Sequence, residues 1–112
     1  MGNPNPFSLQ VRADDASLVV EICGEVDVVT APALHDCLAA AIETTGGEIV
    51  VDCSGLAFID SSGLKELIEA HASPRNSSRQ LYLDGVGLHL MRLLRISGLD
   101  RHIPVRSEAP AH

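Results

Sequence analysis

Ser61 and Ser62 stand between Asp60 and Gly63 in the stretch FIDSSGLKELIEA, residues 58 to 70, where an apolar run gives way to a helix-like pattern. Two hydroxyls and a carboxylate at such a junction allow three kinds of chemistry. One of these residues can cap the helix, because the first four backbone N–H groups of a helix have no partner within it. Those same N–H groups and the helix dipole can hold an anion. A hydroxyl can also act as a nucleophile. Here Ser62-Gly63-Leu64-Lys65 matches the S-x-x-K spacing of penicillin-recognising enzymes, but the S-D-N and K-T-G segments that complete those sites are absent, as is a G-x-S-x-G elbow. The motif therefore points away from enzymatic activity.

The other reactive side chains form no catalytic pattern. Glu25, Asp27, Asp52 and Asp60 fall at predicted strand ends, where acid–base work competes with turn and capping roles, and no histidine is positioned beside them in the sequence. His35, His71, His89, His102 and His112 are scattered over different elements, without H-E-x-x-H or paired cysteines, so no metal site is expected. Cys23 and Cys53 lie in apolar strand runs and Cys37 beside Leu38, which reads as three buried thiols without a C-x-x-C pair and fits a reducing, cytoplasmic setting. No G-x-x-x-x-G-K-[ST] or G-x-G-x-x-G loop is present, so no nucleotide cofactor is expected.

Composition narrows the partners. Fifteen acidic against eight basic residues give a net charge of -7 over 112 residues, with no basic cluster, which argues against direct nucleic-acid or anionic-membrane binding. No apolar stretch is long enough for a membrane span, and MGNPNPFS lacks the basic-then-apolar order of a signal peptide. The apolar fraction is 46% with no Trp, one Tyr and two Phe, so the core must be built from Leu, Ile, Val and Ala.

The elements that position these residues follow from periodicity. FSLQV (7–11) and LVVEIC (18–23) predict a hairpin around RADDAS. VVTAPALHDCLAAAIETTGG predicts a helix with Thr30 as N-cap, Pro32 just inside, an apolar stripe of Leu34, Leu38, Ala41 and Ile42, and a Gly46-Gly47 stop. EIVVDC (48–53) reads as a buried strand. A second helix starts at the serine pair, with Leu64, Leu67, Ile68 and Ala72 on its apolar stripe and Lys65, Glu66 and Glu69 off it. HASPRNSSR is a turn-rich connection, QLYLDGV a strand, LHLMRLLRISG a helix ending at Gly98, and HIPVR a last strand before the frayed tail SEAPAH. The order β-β-α-β-α-β-α-β predicts one α/β domain over residues 7–106, a mixed β-sheet with helices packed on it, between flexible ends at 1–6 and 107–112.

VVDCSGLAFIDSSGLKEL, with GEVDVVTAPALHDCL before it and LMRLLRISGLDRHIPV after it, resembles the STAS-domain anti-sigma factor antagonists of bacteria, from about Phe7 to Arg106. The resemblance implies a non-enzymatic, cytoplasmic partner-switching regulator of transcription. A kinase that is also the anti-sigma factor phosphorylates the serine after the motif's aspartate, here Ser61 after Asp60. The unmodified protein binds that anti-sigma factor and frees the sigma factor; the phosphorylated one lets go until a phosphatase resets it. Partner contacts are implied at Gly24, Glu25 and Asp27 and at Asp60, Ser61, Ser62 and Gly63. Lys65 stands where many relatives carry glycine, one turn from Ser61, within reach of a phosphate or Asp60, and bears on which kinase is accepted. No cofactor and no metal are expected from the residues, and a monomer or weak dimer is expected: relatives often add a final helix where this chain has SEAPAH, a shortening that weakens the fold or leaves an edge for self-association. The alternative reading is a STAS scaffold or ligand-sensing module that is never phosphorylated.

Overall fold

A computed structural model describes residues 6–44, 47–73 and 80–108. Strand β1 (Ser8–Asp14) pairs antiparallel with β2 (Ser17–Val26) through a turn in which Asp15 takes φ 48°, a left-handed conformation that aspartate tolerates. Both strands run further than FSLQV and LVVEIC. RADDAS shrinks to a two-residue turn because the ladder continues to Asp14↔Ser17. Helix α1 (Ala31–Glu43) leads to β3 (Glu48–Ile59), helix α2 (Ser61–Ala72) to β4 (Leu81–Asp84), and helix α3 (Leu88–Ser97) closes on a 3-10 turn at Leu99–Arg101.

The sheet order is β1-β2-β3-β4, with β2, β3 and β4 parallel. Two right-handed crossovers that step in the same direction along a sheet put both helices on one face. That face carries Val20, Ile22, Val26, Ile49, Val51, Ile59, Leu81 and Leu83, all buried against Leu34, Leu38, Leu67, Leu90 and Leu94 of the helices. On the opposite face Glu21, Asp52 and Asp84 stand in register, with Arg12 Nε donating to Glu21 at 2.9 Å.

Three elements depart from the sequence reading. β3 does not stop at Cys53 but continues to Ile59, past register shifts at Glu21/Cys23 and Gly24/Glu25 in β2. Gly55 lies inside the strand and serves close strand approach: a Cβ there would lie 2.6 Å from Cys23 Sγ. Asp52 is therefore internal to the strand and not at its end. HIPVR contributes only an isolated bridge, Val105 to Leu83, in which Leu83 N donates to the Pro104 carbonyl (2.9 Å) and Arg106 N to the Leu83 carbonyl (2.7 Å); Pro104 has no N–H with which to extend a ladder. Ser107 and Glu108, assigned to the frayed tail, are tied down as well: Ser107 hydrogen-bonds Asp84 and the Gly85 N–H, and Glu108 bridges Val86. The remaining tail, 109–112, the N-terminal residues 1–5 and most of the HASPRNSSR connection lie outside the described residues, as does Gly46.

The helix patterns hold with one shift. α1 buries Ala31, Leu34, Leu38, Ala41 and Ile42, as its stripe predicts. α2 buries Gly63, Leu67 and Ala70, an i, i+4, i+7 set, and leaves Ala72 exposed. α3 ends at Gly98 in a left-handed cap with φ 78°.

Candidate functional site

The parallel pairing of β2 with β3 sets the site. Glu25 lies opposite Phe58 and Val26 opposite Ile59, and Asp60 N donates to the Val26 carbonyl at 3.1 Å, so the loops that leave both strands share one edge of the sheet. The tertiary structure thus joins the G-E-V-D segment to the D-S-S-G segment, two stretches more than thirty residues apart in sequence.

Asp60 caps α2. Its backbone is extended (φ -101°, ψ -172°), and its Oδ1 accepts from Ser62 N (2.9 Å) and Gly63 N (3.2 Å). Ser61 is then the first helical residue and exposed, with no hydrogen bond from its hydroxyl among the described residues, while Ser62 is half-buried. A capping role for Ser61 is overturned: Asp60 already does that work. Replacing Asp60 by alanine should cost about 1 kcal/mol, the usual worth of an N-cap, measured as a lower urea midpoint at unchanged slope. Equal midpoints would show the cap to be idle.

Gly63 is buried at the third position of α2. A Cβ there would come within 2.6 Å of both Ile59 Cγ1 and Val26 Cγ1, so the residue lets the helix start touch the strand ends. Lys65 is exposed and pairs with Glu69 at 3.8 Å, one turn along α2, and not with Asp60. Gly24 is buried with φ 86° at the register shift, a conformation that only glycine adopts without strain, and it turns Glu25 outward.

Asp27 turns out to be a loop organiser. Its Oδ1 accepts from Val29 N (3.0 Å), Thr30 N (3.1 Å) and the Thr30 hydroxyl (3.2 Å), and Thr30 Oγ1 in turn accepts from Asp27 N at 2.9 Å. Thr30 is the boundary residue of α1 as its sequence suggests, but its side chain makes no capping bond to the helix. The Thr30 N–H, followed by the other donors, holds the Asp27 carboxyl below the usual carboxylate range. A depressed carboxylate stabilises the fold at pH values above its unfolded pKa, and that contribution is lost as pH falls through the lower folded value. Asp27→Asn keeps one acceptor oxygen and removes the charge. Its deficit against the natural protein should be full above the ordinary carboxylate range and shrink as pH falls through the lower folded value, read from denaturant midpoints across pH; a deficit independent of pH would contradict this.

Sequence reading missed the apolar rim of the site. Val28 (71% exposed), Val29 (79%) and Leu88 (74%) project into solvent, and Phe58 is 40% exposed. Phe58 stacks on His89 with centroids 4.9 Å apart, His89 Nε2 is 2.9 Å from the Ile59 carbonyl, and Phe58, Leu88 and His89 line one cleft. The available signal was apolar residues at element ends, off every buried stripe.

Cys53 is buried and its thiol is pushed up to about 12, chiefly by desolvation and then by Asp52 and Asp84; burial also raises the half-buried Cys37. Thiolate is the reactive form. Cys53 should therefore resist iodoacetamide at pH 8 in the native protein and react on denaturation, as peptide mass mapping would reveal; rapid native labelling would refute its burial. Among the histidines, His35 is brought to Glu66 (Nδ1 to Oε1, 2.8 Å), a hydrogen bond that raises its pKa. No described helix is long and apolar enough to cross a membrane.

The family model described as "Mlab, STAS domain" matches residues 9–106. The chain belongs to the STAS-domain family. Among STAS relatives, the anti-sigma-B factor antagonist of Listeria monocytogenes is 28% identical over 102 residues, covering 90% of each chain, and that of Staphylococcus aureus is 27% identical over 93 residues, covering 83% of this chain and 86% of its own. A crystal structure of an anti-sigma factor antagonist from Mycobacterium paratuberculosis, 28% identical, superposes with a TM-score of 0.83 over 99% of this chain and 92% of that one. The mixed four-stranded sheet with three helices is the STAS fold.

Proposed function

We propose that this STAS domain is an anti-sigma factor antagonist: it binds an anti-sigma factor that is also a protein kinase, thereby releases the sigma factor, and is switched off by phosphorylation of Ser61 and restored by a phosphatase. The observation that carries the reading is the exposed Ser61 hydroxyl on the first turn of α2, directly after the capping Asp60 and on the same edge as Val28, Val29, Phe58 and Leu88. An apolar rim around a modifiable hydroxyl suits protein recognition better than catalysis. Similarity to named antagonists over 90% of the chain supports the same role.

The capping geometry supplies the switch. With the Ser62 and Gly63 N–H groups committed to Asp60, a phosphate on Ser61 takes only the modest stabilisation of the helix dipole and faces outward, carrying about -1.5 to -2 charges toward the partner. Glu25 is exposed beside Phe58 and enlarges the contact, Gly24 and Asp27 hold its backbone in place, and Lys65 at the margin of α2 tunes which kinase is accepted.

The test is capture from native cell extract on folded Ser61→Ala and Ser61→Asp baits, with bound proteins identified by mass spectrometry. A kinase-like anti-sigma factor held by the alanine bait and absent from the aspartate bait is expected. Identical partner lists from the two baits would defeat the phospho-switch and favour an unmodified scaffold module.

A further inference from the structure

His35 lies on α1 and Glu66 and Glu69 on α2, yet one donor atom from each falls within 4.8 Å of the others. The three-residue spacing of the glutamates sets both on one side of α2, and α1 brings the imidazole onto that side. The cluster borders a cleft between the helices floored by Leu38, Ile42 and Ala70. Glu66 is partly withdrawn from water, with a side chain 15% exposed. Among the described residues the competing cation is weak: Lys65 reaches Glu69 at 3.8 Å with both side chains half or more exposed.

We propose that His35, Glu66 and Glu69 bind a divalent transition-metal cation of the zinc type. One imidazole nitrogen with two carboxylate oxygens is a donor set that zinc accepts, whereas calcium and magnesium take oxygen alone and copper(I) takes sulfur. Donors about 2.1 Å from a tetrahedral zinc stand about 3.4 Å apart. His35 Nδ1 and Glu66 Oε1, now 2.8 Å apart, need to separate by less than an ångström, and Glu69, with an oxygen within 4.8 Å of both, to swing inward, shifts on the scale of side-chain rotation. Three protein ligands leave a fourth position for water. The ion replaces the hydrogen bond between His35 and Glu66 and ties α1 to the helix that begins with Ser61.

The experiment is calorimetric titration of the chelator-stripped, reduced full chain with zinc alone, beside the absorption spectrum with cobalt(II). Expected are one equivalent of zinc bound, at least tenfold weaker binding in each of His35→Ala, Glu66→Gln and Glu69→Gln, and unchanged binding in His102→Ala. The cobalt spectrum should show d–d bands without a thiolate charge-transfer band, which separates this site from Cys37. Zinc affinity that is the same in His35→Ala as in the natural chain, a thiolate band, or absence of one-to-one binding would each overturn the proposal. Melting curves of the metal-free variants check that each is folded: His35 and Glu69 are exposed, and Glu66→Gln keeps the size of the half-buried Glu66 side chain.

Discussion

Replacing Ser61 by aspartate should leave the protein folded and, on the proposed function, reduce its affinity for the anti-sigma factor by about 30-fold to several thousand-fold. The two halves of that result have separate causes. Ser61 occupies the first position of α2, the first turn contains no acidic residue, and an anion near a helix N-terminus is worth roughly 0.3 to 1 kcal/mol. The charge therefore helps the helix. At an interface, a charge facing a surface shaped for a neutral hydroxyl costs on the order of 2 to 5 kcal/mol, and each 1.4 kcal/mol is about a decade in affinity. The interfacial cost exceeds the helical gain severalfold, so stability and binding move in opposite directions. Thermal melts paired with titration of the captured partner test both: equal affinities, or an unfolded variant, would contradict the account. Phe58→Ala should weaken the same association without lowering affinity for any ligand of the α1–α2 cleft, because Phe58 shares a separate cleft with Leu88 and His89 and is not among the residues that line the α1–α2 cleft.

Gly63→Val should be the most damaging single substitution in the site as regards stability. Glycine in a helix costs about 1 kcal/mol against alanine, so Gly63→Ala would stabilise α2 were the position open. It is not open. The new Cβ meets Ile59 Cγ1 and Val26 Cγ1 at 2.6 Å, both within the packed core, and such overpacking costs about 1 to 3 kcal/mol. For alanine the two effects leave a net loss of about 0 to 2 kcal/mol. Valine adds two methyl groups and a β-branch to the same clash, so its loss should exceed about 3 kcal/mol, a large part of the 5 to 15 kcal/mol typical of a domain. Urea unfolding at constant slope measures both variants. A Gly63→Ala protein more stable by the full propensity difference would show that α2 can withdraw from the strand ends, and would remove the reason for glycine in D-S-S-G.

The same motif shows where sequence reading succeeds and where it stops. Asp60, Ser61, Ser62 and Gly63 could be assigned to a strand–helix junction because the apolar period changes there, from a strand run to the spacing of Leu64, Leu67 and Ile68. Which of them caps the helix could not be assigned. Aspartate and serine are nearly equal N-caps, and only the extended backbone at Asp60 decides between them. Asp27 presents the converse case. As an acid at a strand end it reads as open to acid–base work or to a turn role, and three donors from one following turn, all on one of its oxygens, decide for the turn.

The sequence by itself determined the element order as far as α3, the buried stripe of α1, the Gly98 stop and the position of Ser61 at a helix start. Each of these is a local property, set by side-chain period and by capping and turn chemistry within a few residues. Only the tertiary structure decided that β3 runs on to Ile59 and that G-E-V-D and D-S-S-G share an edge. It also decided that Phe58 meets His89 and that His35 meets Glu66 and Glu69. The physical reason is common to all four. Periodicity records which face of an element is buried, while the identity of the neighbour across that face follows from strand register and crossover hand, which no single segment contains.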